Sequence, residues 1–130
     1  MKYNIYIDDI RVKPDRYDLL FKSGEEFVEW LNGNKGVEIS LISFDHDLGE
    51  NHMNGVELIH ELLSMNLHIE AVQFHSDNLP TLPTMYSLFA SAKRVGLLPH
   101  LKHIHPYKID TNSGIEKEAP WMDLRPRGMR

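Results

Sequence analysis

Val37-Glu38-Ile39-Ser40-Leu41-Ile42-Ser43-Phe44 runs directly into Asp45-His46-Asp47-Leu48-Gly49. The first part is an apolar run of strand length, rich in Ile and Leu, and the second is a polar cluster ended by glycine. Asn54 follows, placed to cap a helix with Glu57 as its partner, and Val56, Ile59, Leu62 and Leu63 form an apolar stripe. Buried strand, polar loop and amphipathic helix, in that order, make one unit of an alternating α/β chain.

The same unit recurs on both sides. Residues 3–7 read as a buried strand that ends in Asp8-Asp9, and residues 18–21 as a second, short strand. Ser23-Gly24-Glu25-Glu26 reads as a capping box, Phe27, Trp30 and Leu31 share a helical face, and Asn32-Gly33 ends that helix. Residues 69–74 form a fourth strand that ends in His75-Ser76-Asp77-Asn78. Thr81 or Thr84 starts another helix, with Met85, Leu88, Phe89 and Ala92 toward the core and Gly96 as terminator. A last strand covers residues 103–107, and residues 110–130 are a polar, proline-containing tail without helical periodicity. Strands alternating with helices imply a parallel sheet covered on both faces, and such sheets bind ligands beyond the carboxyl ends of their strands. Every polar cluster named above falls at that edge.

Composition narrows the chemistry. The 130 residues suit one domain, and 42% hydrophobic residues suffice for a core without staples. There is no cysteine, so disulfides and thiolates are excluded, and a metal would be held by oxygen or imidazole. The net charge of −5 argues against broad binding to duplex nucleic acid. No apolar run reaches the ~18 residues of a membrane span, and the amino terminus lacks a signal-peptide pattern, so the expected location is the cytoplasm, with no membrane contact.

Adjacent carboxylates repel, so Asp8-Asp9 at a strand end suits a cation between them, against the bland alternative of a solvated turn. Mg²⁺ fits that role, as a hard ion that shares carboxylates with water and phosphate oxygens. Side chains alternate along a strand, so Asp45 and Asp47 would join Asp8 and Asp9 around one ion, unless Asp47 turns away with the loop. His46 and His75 are acid/base candidates because imidazole titrates near neutrality. Ser76 and Asn78 can donate to phosphate oxygens, against the bland alternative of an Asx-type turn toward Pro80. Arg11 can clamp a phosphate or pair with Asp15 on the surface. His105-Pro106-Tyr107 ends the last strand and supplies a third candidate histidine. His52, His60, His68, His100 and His103 read as surface or satisfied core residues. Trp121, Met122 and Leu124 are expected to fold back as a cover, with Arg125, Arg127 and Arg130 on a solvated tail.

The series Asp8-Asp9, Asp45, Ser76 and His105-Pro106-Tyr107, each after a strand, resembles the receiver domains of two-component signalling, and Gly55 resembles the glycine after their acceptor loop. Receivers carry Lys where His105 stands. Too few residues separate the first two strands for a full crossover helix, and no last helix follows residue 109. Asp8-Asp9-Ile10-Arg11, Asp45-His46-Asp47-Leu48-Gly49 and His75-Ser76-Asp77-Asn78 are similar to a narrower family, the cyclic-phosphate-processing receiver-like domains. A glycine of that pattern is missing where Leu79-Pro80-Thr81 stands.

The resemblance implies a three-layer, receiver-like (flavodoxin-like) α/β fold. Its five-stranded parallel sheet has reduced helices, the first crossover helix and the last helix being missing or shortened. Residues 1–109 would form the domain, and residues 110–130 a tail that folds back or is partly disordered. The implied function is a metal-assisted phosphoesterase acting on a 2′,3′-cyclic phosphate RNA end or a cyclic nucleotide. His46 and His75 would be acid and base with His105 as a third candidate, Arg11, Ser76 and Asn78 would bind phosphate, and Asp8, Asp9, Asp45 and Asp47 would hold Mg²⁺ or Mn²⁺. A zinc variant would use His46, His75, His105 and Asp45. The competing class is a signalling or binding module with Asp45 as phosphoacceptor. A haloacid-dehalogenase-like phosphatase, with Asp45 as nucleophile and Asp47 as acid/base, is a lesser alternative. The expected partner is a phosphate-bearing small ligand or RNA 3′ end.

Overall fold

The computed structural model describes residues 1–111 and 117–126, and of residues 119–122 the backbone alone. Along the chain run β1 (Lys2–Ile7), β2 (Leu19–Phe21), α1 (Gly24–Gly33), β3 (Glu38–Phe44), α2 (Gly55–Leu63), β4 (His68–Ile69), β5 (Ala71–Phe74), a single 3-10 turn (Leu79–Thr81), α3 (Leu82–Val95), β6 (His103–Asp110) and β7 (Lys117–Asp123). The sheet order is β2-β1-β3-β5-β6-β7, with β4 also on β3. All pairings are parallel except β6 with β7.

The parallel body agrees with the sequence reading, and the differences lie at its margins. The expected fourth strand is split into β4 and β5. Part of the tail forms β7, an antiparallel edge that local pattern did not reveal. No helix links β1 to β2, and none follows β6 among the described residues, in keeping with the reduced helices expected.

Layering differs from the expectation. Phe27 and Leu31 of α1, Leu58, Ile59 and Leu62 of α2, and Leu82, Met85, Phe89 and Ala92 of α3 join one apolar cluster with Ile5, Ile7, Ile42, Phe44, Val72 and Phe74. Strand side chains alternate between faces, so all three helices lie against one face. Among the described residues the other face has no helix, the β1–β2 connection being too short to supply one. Tyr6, Ser43 and Gln73 lie there with Tyr17 of that connection and Thr111 after β6. Tyr6 packs against the Tyr17 ring at 4.9 Å and donates to Thr111 at 3.0 Å, and Gln73 donates to the Tyr17 hydroxyl. The three-layer expectation is therefore corrected to one helical layer, the sheet, and a polar aromatic cover.

The helix starts follow local chemistry. Asn54 and Glu57 make the reciprocal capping box. Ser23 accepts from Glu26 N at 3.1 Å, while the Glu26 carboxylate reaches Lys22 N instead of Ser23 N. Thr81 sits at the start of α3 without a side-chain cap bond, because its hydroxyl donates to Asn78 O at 2.8 Å. Gly96, at φ +83°, closes that helix in the left-handed conformation. At Gly55 a Cβ would stand 2.6 Å from Asp45 O and 3.0 Å from His46 Cα, so only glycine lets α2 begin this close to the β3 end. No described helix is long and apolar enough to cross a membrane.

Candidate functional site

β1, β3 and β5 end side by side, and the next residue on the non-helical face of each is Asp8, Asp45 and His75, all buried. Donor atoms of these residues lie within 4.8 Å of one another. The strand pleat delivers them: Tyr6 precedes Asp8, Ser43 precedes Asp45 and Gln73 precedes His75, each by two residues.

Asp8 is fully committed. Its Oδ1 accepts from Ile10 N at 2.9 Å and Arg11 N at 2.8 Å, and its Oδ2 from Arg11 Nη1 at 2.8 Å and His75 Nε2 at 2.9 Å. A carboxylate has about four acceptor positions, and these four donors fill them. Burial alone would raise the Asp8 pKa, but the bonds from His75 and Arg11 outweigh it and hold the carboxyl well below its ordinary range. Asp45 shifts the other way: burial raises it first and the Asp8 charge second, partly offset by His75 and a hydrogen bond from Ser76.

His75 has both ring nitrogens engaged, Nε2 with Asp8 and Nδ1 with Ser43 Oγ at 2.7 Å, and its ring stacks on Tyr6 at 4.3 Å. Only 1% of the residue is exposed. His46 is placed differently. Its Nδ1 lies 3.2 Å from both Asp47 Oδ1 and Asn78 Nδ2, which leaves Nε2 without a hydrogen-bond partner among the described residues. The two histidines expected to act as a pair share no partner.

Arg11 links the carboxylates. One guanidinium nitrogen stands between Asp8 and Asp45, 3.5 Å from the latter, and the other is 2.5 Å from Asp77. Lys108 holds the second Asp77 oxygen at 2.8 Å. Asp77 is held below its ordinary pKa, by the Lys108 bond first and then, against a burial effect, by Arg11. A cavity of about 460 Å³ opens above, lined by Asp9, Arg11, Asp45, Asp47, Asn54 and Asp77 among others. Asp9 Oδ1 is buried without a hydrogen-bond partner among the described residues.

His105, Arg11 and Asn78 also differ from the roles expected of them. His105 does not join the site: its contacts are Glu118 on β7 at 2.5 Å, His103 at 3.3 Å and the Tyr107 ring. Burial lowers its pKa, with Glu118 opposing. The reason is register. Val72 pairs with Ile104 and Phe74 with Lys108, so His105-Pro106-Tyr107 spans what Gln73 alone spans on β5. Proline has no N–H for the ladder, and a bulge at Pro106 accommodates it. Lys108 thereby arrives at the strand end, and the signal that pointed to it was the proline itself. Arg11 is bound to carboxylates, and Asn78 is turned to His46 and to the Ser76 hydroxyl, which its N–H reaches at 3.0 Å. Arg125 pairs with Asp123 at 3.0 Å and Leu124 is buried in the core. The side chains of Trp121 and Met122, and Arg127 and Arg130 entirely, lie outside the described residues.

The model for the cyclic-phosphate processing receiver domain matches residues 3–91. The chain belongs to that family. No curated protein matches the chain. Among solved structures, the Legionella pneumophila response regulator LqsR is similar at 13% identity with a TM-score of 0.42, the match covering 79% of this chain and 38% of that one. For this cyclic-phosphate processing receiver domain, a metal held between Asp8 and Asp45 does not fit while Arg11 stands there, because Asp8 has no acceptor position left. Asp9 and Asp45 do fit a hard cation: both line the cavity, and Asp9 brings a buried oxygen without a partner. The imidazole-rich zinc set is not assembled, since His75 faces Asp8 and His105 faces Glu118.

Proposed function

We propose that this domain binds a cyclic phosphate ester in the cavity above Asp45 and opens it by hydrolysis, with a 2′,3′-cyclic phosphate at an RNA 3′ end or on a nucleotide as substrate. The observation that carries the reading is His46: in the tautomer whose Nδ1–H donates to Asp47 Oδ1 at 3.2 Å, Nε2 is the basic nitrogen and has no hydrogen-bond partner among the described residues, which is how a proton-transfer group is poised. In the step, Nε2 takes a proton from water as the water oxygen attacks phosphorus. The bond from phosphorus to one ribose oxygen breaks, and that oxygen takes a proton from solvent. His75 acts as a positioning residue that keeps Asp8, and through it Arg11, in place. Lys108, held on Asp77 at the cavity wall, would supply positive charge toward the phosphate, and Ser76 would steady Asp45 through its hydroxyl.

The cavity is rich in carboxylates, which repel phosphate. Asp9 and Asp45 would hold a divalent cation, Mg²⁺ or Mn²⁺, whose charge lets phosphate approach and draws electron density from phosphorus. The test mixes the protein and Mg²⁺ with a short RNA ending in 2′,3′-cyclic phosphate and reads end groups by mass. Opening to a monophosphate is expected, with His46→Ala slowing turnover ~10²–10⁴-fold. An unchanged rate in that variant, or no opening with protein in excess of RNA, overturns the reading.

A second reading is supported by the Asp45–Ser76 hydrogen bond and by Lys108, which stands opposite the end of β5. These match the acceptor, hydroxyl and lysine of the receiver pattern, with Asp45 as phosphoacceptor. Covalent labelling of Asp45 by acetyl phosphate, without RNA opening, would select it.

A further inference from the structure

Asp8 and Asp45 stand at the ends of neighbouring strands, and what bridges them is a guanidinium nitrogen, 2.8 Å from one and 3.5 Å from the other. Asp8 is wholly buried, and all four of its acceptor positions are filled. Asp9, by contrast, leaves a buried oxygen without a partner and faces the cavity. A buried carboxylate is tolerated only with a counter-charge, and a planar, permanently charged guanidinium that is also tied to Asp77 supplies one at fixed geometry.

We infer that Arg11 is a built-in counter-ion that closes Asp8 to metal and confines a divalent cation to Asp9 and Asp45, where it competes with that cation for Asp45. The inference rests on the cation part of the proposed function, not on turnover. The acidic pair is thereby divided. Asp8 is held by its ion pair with Arg11 and its hydrogen bond from His75, and Asp9 is the half that exchanges an ion with solvent. With no ion bound, Arg11 keeps Asp8 and Asp45 from repelling each other.

The experiment is Mn²⁺ binding to the purified domain, followed by water-proton relaxation in the absence of RNA. Lys108→Gln is the charge control, because it removes one positive charge at Asp77 without touching Asp45. Arg11→Gln is expected to tighten Mn²⁺ binding on the order of tenfold, and Lys108→Gln by much less. Asp9→Asn should abolish the binding. Equal effects of Arg11→Gln and Lys108→Gln, or no tightening in Arg11→Gln, overturn the inference. A second measurement needs no variant. In wild-type protein carrying ¹⁵N-arginine, the Arg11 guanidinium signals should keep their slow rotation in millimolar Mg²⁺, because Asp8 still holds the group. Their release by Mg²⁺ would show that the metal takes Asp8, and would also overturn the inference. Loss of RNA opening with Mn²⁺ binding intact would count against the proposed function alone.

Discussion

Along β1, β3 and β5 two chemistries alternate residue by residue. Ile5, Ile7, Ile42, Phe44, Val72 and Phe74 meet the helices. Tyr6, Ser43 and Gln73 meet the polar cover, then Asp8, Asp45 and His75 end that face. The helical face draws its stability from apolar area, which tolerates changes of shape as long as volume is kept. The polar face draws its order from hydrogen bonds that need particular atoms at particular distances. A site that must aim carboxylates and imidazoles is better served by the second kind of support. The missing crossover helix leaves that face free for it.

The largest effect is expected on the helical face. Phe74→Ala should cost about 3–5 kcal/mol of unfolding free energy in urea while leaving Mn²⁺ affinity near wild type. A large loss of affinity would show that the two faces do not act separately. Asp8→Asn should cost about 3 kcal/mol, because Arg11 and His75 lose their buried partner, and it should also disturb the cavity. A cost within measurement error would mean the polar network adds no stability.

Acid titration sharpens the contrast within the polar face. In metal-free protein, burial and then the Asp8 charge raise Asp45, so the folded state holds its proton more tightly than the unfolded chain. Its contribution is greatest in acid and fades as pH rises through the folded value. Asp8 runs the opposite way: its contribution is present above the ordinary carboxylate range and disappears as pH falls through its depressed folded value. Carboxyl ¹³C shifts should show Asp45 taking up its proton well before Asp8, and the reverse order would refute the network as described. The smallest effect is expected at His105, on β6 beside the edge strand β7 and outside the cavity lining. His105→Asn should cost below ~1 kcal/mol and leave RNA opening unchanged, and a clear fall in turnover would return His105 to the site.

Much of the fold was legible locally. Apolar runs marked the parallel strands, because a buried strand must shed polar side chains along its length. Asn54 with Glu57, and Gly96, marked helix ends, because the unpaired N–H and C=O groups there need partners within a few residues. The β4–β5 break and β7 left no such mark. A break in an apolar run and an antiparallel edge are set by what lies alongside, not by the run itself. The layer count was missed for the same reason: alternation tells which residues share a face but not what covers it.

At the site, sequence alone determined which residues stand at the carboxyl ends of the strands. Asp8, Asp9, Asp45, His46, His75 and Ser76 are there because the hydrophobic runs stop just before them. Tertiary structure decided what each of these residues faces. It buried His75 between Ser43 and Asp8 and left His46 with a free nitrogen. It turned Arg11 from a presumed phosphate clamp into the partner of Asp8, Asp45 and Asp77. Through the bulge at Pro106 it brought Lys108 to the strand end and kept His105 out. The physical reason is range. Strand ends follow from a few consecutive side chains, whereas each of those pairings joins residues from separate elements and depends on strand register, which only the packed sheet defines.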